Sequence, residues 1–134
     1  MTVVVDTNVA AYHLLGTEPF REEASAFWQR VDAPIAPASW EAELANVIWL
    51  AARAEVFDAG EALLKLRLAR GLDVEMVPVR SLWDGALARA VARNHPVYDT
   101  LFVELAAREA APLVTFDQKL LELHPEVACR PGEA

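Results

Sequence analysis

The stretch Thr2-Val3-Val4-Val5-Asp6 is a short, mostly β-branched run that stops at an acid. Such a run reads as a buried strand. A second one, Leu113-Val114-Thr115-Phe116, stops at Asp117. Pro34-Ile35-Ala36-Pro37 offers a strand stub, Val74 to Val79 alternates enough for another strand, and Glu126 to Cys129 is a candidate last edge strand. Helical patterns fill the intervals. Asn8 to Leu15 is stopped by Gly16, and Phe20 to Val31 places Phe20, Ala24, Phe27, Trp28 and Val31 at helical spacing. Ser39 to Val56 is long and Ala-rich, and Asp58 to Arg70 has Asp58 as a cap and Gly71 as a stop. Ser81 to Asn94 carries Ser81 and Asp84 at capping-box spacing, and Tyr98 to Ala111 and Gln118 to Leu123 follow. The Pro131-Gly132 tail reads as loose. Short apolar strands alternating with helices predict a parallel sheet covered on both faces. The expected fold is therefore α/β: one domain over residues 1–134, a three-layer α/β/α sandwich with a short, mainly parallel sheet.

Composition narrows the function. A chain of 134 residues can bury enough apolar surface to fold without disulfide or structural metal. The single cysteine, Cys129, excludes an internal disulfide and suits a reducing cytoplasm, where the protein is expected to reside. No apolar run approaches the ~18 residues of a membrane span, and the first residues carry no basic region of a signal peptide. Twenty acids against twelve bases give a net charge of −8. The overall field therefore does not steer the protein to nucleic acid, and any contact with RNA or DNA needs a local basic patch or a bound cation.

The acids carry the chemical argument. Asp6 and Asp117 follow apolar strands, Asp99 opens a helix after the His95-Pro96 break, and Glu43 lies one turn into the long helix after the Ile35 stub. In open parallel sheets ligands bind beyond the carboxyl ends of the strands. Singly, each acid has an ordinary structural account as a cap, an Asx turn, a partner of the helix dipole or a solvated side chain. Together on one rim they would repel, by about 4 kcal/mol per pair at ~4 Å and an effective dielectric near 20. Such a cluster takes up protons or binds a cation. Oxygen-only ligands select a hard ion, Mg²⁺, with Mn²⁺ able to substitute, and carboxylate-held Mg²⁺ serves phosphoryl chemistry. On a helical wheel Glu41 and Glu43 fall on opposite shoulders of the stripe Trp40, Leu44, Val47, Ile48 and Ala51, so periodicity does not choose between them.

These residues resemble a family. Val3-Val4-Val5-Asp6-Thr7-Asn8 is similar to the opening of PIN-domain nucleases, and Glu43-Leu44-Ala45-Asn46 resembles their Glu-x-x-Asn helix motif. Tyr98 to Ala106 is similar to their third acidic segment, and Leu113 to Leu120 to their final Thr-x-Asp. The match runs in order from Val3 to about Leu123, and the size resembles stand-alone VapC-type toxins of toxin–antitoxin pairs. The resemblance implies an Mg²⁺-dependent endoribonuclease acting on RNA phosphodiesters, an antitoxin that blocks the site, and a homodimer. Carried over by position, it makes Asp6, Glu43, Asp99 and Asp117 the catalytic, metal-binding carboxylates, and it is this resemblance, through Asn46, that selects Glu43. Thr7, Asn8, Asn46 and Thr115 become supporting residues around them.

Three further expectations concern contacts. Arg89 and Arg93, at i, i+4 before the Asp99 loop, are the first choice for gripping RNA phosphate, against the simpler reading of basic helix faces paired with Glu55, Glu61 or Asp84. His95 is disfavoured as a general base, and His13 and His124 read as structural. Trp49, flanked by Ala42, Ala45 and Ala52 opposite the core stripe, marks either a partner interface or a face covered within the chain by the Asp58–Arg70 helix. The rival classes are a PIN-like RNA-processing nuclease outside any toxin system and a non-catalytic PIN-like interaction module. A phosphoacceptor receiver would need paired acids after the first strand, and a haloacid-dehalogenase-type phosphatase a second Asp where Asn8 stands.

Overall fold

The computed structural model describes all of residues 1–134. Five strands, β1 (Thr2–Val5), β2 (Ala33–Pro37), β3 (Glu75–Val77), β4 (Leu113–Val114) and β5 (Ala128–Cys129), form one sheet in the order β3-β2-β1-β4-β5. Every pairing is parallel, with Val4 opposite Ile35 on one side and Leu113 on the other. Seven helices connect and cover it: α1 (Thr7–Leu15), α2 (Arg21–Arg30), α3 (Ser39–Arg53), α4 (Ala59–Arg70), α5 (Trp83–Arg93), α6 (Val97–Glu109) and α7 (Gln118–Leu123). The α/β/α sandwich with a short parallel sheet is thus the observed architecture.

The period of two along β1 divides the core. Val4 joins Ile35, Leu113 and the α6 residues Leu101, Phe102 and Leu105 in the larger cluster. Val3 and Val5 face the other way, packing with Val114, Phe116 and the α2 residues Ala24 and Phe27. Because β1 is central and buried on both faces, its apolar run is unbroken rather than alternating. Helix α6 is buried from Thr100 to Ala106, which places its first turn, with Asp99, against the sheet's carboxyl rim.

Several local expectations are corrected. Ser81 does not cap a helix: its hydroxyl donates to the Pro78 carbonyl at 2.6 Å within a 3₁₀ turn (Val79–Leu82), and α5 begins after it at Trp83. Gly71 follows α4 in right-handed geometry, and Asp73, at φ 53°, makes the left-handed turn instead. The tail is not loose. Glu23 accepts from Arg130 Nη2 at 2.7 Å and from the Gly132 amide at 2.9 Å, Arg30 donates to the Pro131 carbonyl, and Pro131 is buried. Gly85 lets α5 pack close against the Glu104 side chain of α6, because a Cβ there would lie 2.2 Å from the Glu104 carboxyl carbon. No helix is long and apolar enough to cross a membrane.

Candidate active site

Of the neighbouring strands, β1 is followed directly by Asp6, and β4 ends at Val114, three residues before Asp117. Asp6 caps α1, accepting from the Thr7 amide at 2.8 Å, and its other oxygen accepts from the Thr115 hydroxyl at 2.7 Å and from Asn8 Nδ2 at 3.3 Å. Asn8 spans to the second strand, where its carbonyl oxygen accepts from the Phe116 amide at 3.1 Å. Thr115 Oγ1 accepts from the Asp117 amide at 2.9 Å. These bonds lock the two strand ends together across more than a hundred residues of chain.

Helices α3 and α6 bring the other acids. Glu43 is half-buried and accepts from the Thr7 hydroxyl at 3.0 Å, while its Oε1 is buried without a partner. Glu41 is exposed, so tertiary contact separates the two glutamates that the wheel left equivalent. Asp99 Oδ2 lies 3.0 Å from His95 Nε2, a close contact outside hydrogen-bond alignment. Asp117 turns one oxygen back to cap α7, accepting from the Lys119 and Leu120 amides at 2.8 and 3.1 Å.

Burial sets the electrostatics. Asp6 is 7% exposed, and desolvation raises its pKa to about 7 against the hydrogen bonds from Thr115 and Thr7, with the charges of Glu43 and Asp99 pushing further up. Burial also raises Glu43, opposed by the hydroxyls of Thr7 and the nearby Ser39 and helped to a smaller extent by Asp99. Asp99 is raised by burial and by the charge of Asp117, with His95 pulling the other way. Asp6, Glu43 and Asp99 therefore sit within electrostatic reach of one another, and Asp117 within reach of Asp99. In this arrangement no three His, Cys, Asp or Glu side chains are placed to close around an ion, because their oxygens are turned onto Thr7, Thr115, His95 and the α7 amides. The donor set nevertheless fits a hard divalent cation. It is all oxygen, it includes the orphaned Glu43 Oε1, and each of Asp6, Glu43 and Asp99 is displaced in the direction that an added positive charge would relieve.

A sequence model of the PIN domain matches residues 3–124. The chain belongs to the PIN domain family. PIN domains are generally nucleases, and divalent metals are typical of them. No curated protein matches the sequence. Among solved structures, a toxin–antitoxin complex from Klebsiella pneumoniae contains a chain with the same fold at a TM-score of 0.70 and 15% identity, with 96% of this chain and 97% of that one covered.

The remaining sequence candidates are distributed differently. Asn46 is exposed on α3 and bonds none of the four carboxylates. Arg89 donates to Glu104 Oε1 at 2.9 Å, an ion pair rather than a free cation, and its partner is none of the acids that the sequence offered. Arg93 is exposed and donates to the Leu123 carbonyl at 2.7 Å. Trp49 is 53% exposed with Arg53 over its ring, so α4 does not cover it. A groove of about 630 Å³ lies away from the four acids, lined by Trp40, Leu44 and Glu41 of α3, Leu66 and Ala69 of α4, and Met76. Sequence reasoning missed the contact of His95 with Asp99, although their i, i+4 spacing across a helix start was a usable signal.

Proposed function

We propose that this PIN domain is an Mg²⁺-dependent endoribonuclease, the toxin of a toxin–antitoxin pair. The observation that carries the reading is the meeting of Asp6, Glu43 and Asp99 at one rim, all with raised pKa and no Lys or Arg paired to any of them. Asp6, Glu43, Asp99 and Asp117 would hold the cation. Once bound, a divalent ion makes water a better nucleophile and offsets charge on the departing oxygen of a phosphodiester. The chain's own contribution is to aim the ligands. Thr7 ties Glu43 to the start of α1, Thr115 and Asn8 fix Asp6, and the α7 amides fix Asp117. Asp99 is faced by the buried His95, its Oδ2 3.0 Å from Nε2.

RNA cleavage followed on gels with Mg²⁺, Mn²⁺ or a chelator tests this directly. Metal-dependent endonucleolytic cleavage supports the reading; no cleavage of any RNA, with no metal bound, favours the non-catalytic module. The antitoxin partner is supported by the Klebsiella structure and by the apolar groove between α3 and α4. A short upstream reading frame encoding a partly disordered DNA-binding protein would separate a toxin from an RNA-processing nuclease. A homodimer is supported by the apolar side chains that the chain leaves uncovered, Trp49 on α3 and Trp83, Leu87 and Val91 along α5. Trp49→Glu, run on size exclusion, decides whether the α3 patch is the interface: an unchanged oligomer moves the interface elsewhere.

A further inference from the structure

Behind Asp99 stand two buried imidazoles that the proposed reaction does not use. His95 has no exposed side-chain surface, and His124 is 1% exposed. Their rings stack at 5.5 Å between centroids and 15° between planes, and His95 Nδ1 lies 3.4 Å from His124 Nε2. His124 is fixed by its place at the end of α7, where its amide donates to Leu120 at 3.0 Å and its carbonyl accepts from Ala128 at 2.8 Å. His95 is fixed by its amide bond to Ala90 and by the proline that follows.

Two buried rings with four nitrogens are an expensive way to fill space, since Phe or Leu would occupy the volume without polar atoms to satisfy. The nitrogens instead form a row of contacts from Asp99 through His95 and His124 to Glu126. His95 Nε2 faces Asp99 Oδ2 at 3.0 Å, outside hydrogen-bond alignment, and His95 Nδ1 and His124 Nε2 share a hydrogen bond whose direction follows the tautomer. His124 Nδ1, like His95 Nε2, has no hydrogen-bond partner, and it lies 3.7 Å from Glu126 Oε1.

We propose that His95, backed by His124, is a positioning residue that holds the Asp99 carboxylate beside Asp6 and Glu43 and thereby sets the affinity of the rim for a divalent cation. This rests on the metal-binding reading above. It follows the general behaviour of groups that orient metal-ligating side chains, whose loss weakens binding by about 10- to 100-fold.

Mn²⁺ binding measured by electron paramagnetic resonance on the whole protein gives a readout independent of cleavage. His95→Phe should weaken Mn²⁺ binding within that range. His95→Gln, which keeps an N–H donor, should restore most of it. A melting curve of each variant separates orientation from folding. Unchanged Mn²⁺ affinity in folded His95→Phe overturns the proposal, as does an equal loss in both variants. Should His95→Phe not fold, His124→Leu, which removes only the backing ring, must also weaken Mn²⁺ binding, and unchanged affinity there overturns the proposal too. Wild-type protein that binds no Mn²⁺ overturns the metal reading itself, whereas tight binding lost in Asp99→Asn but not in His95→Phe sinks only the role of the histidine.

Discussion

Asp6 and Glu104 are buried to the same depth, 7% and 8% exposed, and respond in opposite directions. Burial alone would raise Glu104, but Arg89 and Arg108, bonded to its two oxygens at 2.9 and 2.6 Å, outweigh that and hold it below the ordinary carboxylate range. Asp6 has only neutral donors around it, and its nearest charges are other acids. Helix α6 carries both situations five residues apart, with Asp99 raised near its start and Glu104 lowered in its middle. A buried acid with its own arginines is a structural clamp between helices. A buried acid among acids is a demand for a cation that the chain does not supply. The comparison separates the two roles without any reference to family.

The largest test strikes the unpaired acid. Asp6→Asn should lower metal-dependent RNA cleavage by at least about a hundredfold, several kcal/mol of lost transition-state stabilisation. The same variant should melt no lower than wild type at pH 8. An unchanged cleavage rate on gels would remove Asp6 from the reaction.

The two acids also give stability opposite pH slopes. The folded pKa of Asp6 is raised, so its contribution is intact below about pH 4 and is lost as the pH rises to about 7. The full cost is on the order of 4 kcal/mol at neutral pH, an upper limit because neighbouring groups relax. Glu104 is lowered, so its contribution holds at neutral pH and is lost as the pH falls through its folded value. The metal-free protein should therefore melt lower at pH 8 than at pH 5, and Asp6→Asn should flatten that difference. Mg²⁺ should raise the melting temperature more at pH 8, where the acids are ionised, than at pH 5. Calorimetry over this range reads both effects, and a metal-free protein that is more stable at pH 8 than at pH 5 would contradict the assignment.

Next in size comes the paired acid. Gly85→Ala drives a methyl into the clamped Glu104 carboxylate, which cannot swing away without breaking its two arginine bonds. The expected cost is about 1–3 kcal/mol in unfolding free energy, with metal affinity unchanged in the folded fraction. Denaturant titration and Mn²⁺ binding on the same sample distinguish a clamp from a second cation site.

What the sequence made legible follows the same division between local and distant causes. The apolar runs before Asp6 and Asp117 specified β1 with its carboxyl end and the start of β4, because strand burial is a local signal, but β4 stops at Val114, two residues short of the expected Phe116. The choice between Glu41 and Glu43 was not local. It depends on the Thr7 hydroxyl, 36 residues away, and without the family resemblance the wheel stays undecided. Arg89 looked free because its true partner lies on a different helix, 15 residues further on. The tail looked loose because the Glu23 carboxylate that holds it comes from α2. Ser81 misled as a cap because Pro78 offers a carbonyl three residues back. For Glu43, Arg89 and the tail a hydrogen bond to a group distant in sequence decided the outcome, and for Ser81 a nearby carbonyl did.

The smallest effect concerns the cations themselves and sharpens the contrast from the other side. Arg89 is spent on Glu104, so Arg89→Ala should act mainly on stability, through loss of a partly buried charged hydrogen bond worth about 1.5–3 kcal/mol. Arg93 gives one N–H to the neutral Leu123 carbonyl and keeps its full charge at the surface. Arg93→Ala should shift unfolding by no more than about 0.5 kcal/mol. Its effect should appear in KM for RNA at low salt and fade as salt is added, with the salt slope falling by about 1 if a phosphate contact is lost. If Arg89→Ala instead changes the salt slope while Arg93→Ala does not, the paired arginine is the one that reaches the substrate. Glu104 would then be a releasable partner for it and not a fixed clamp.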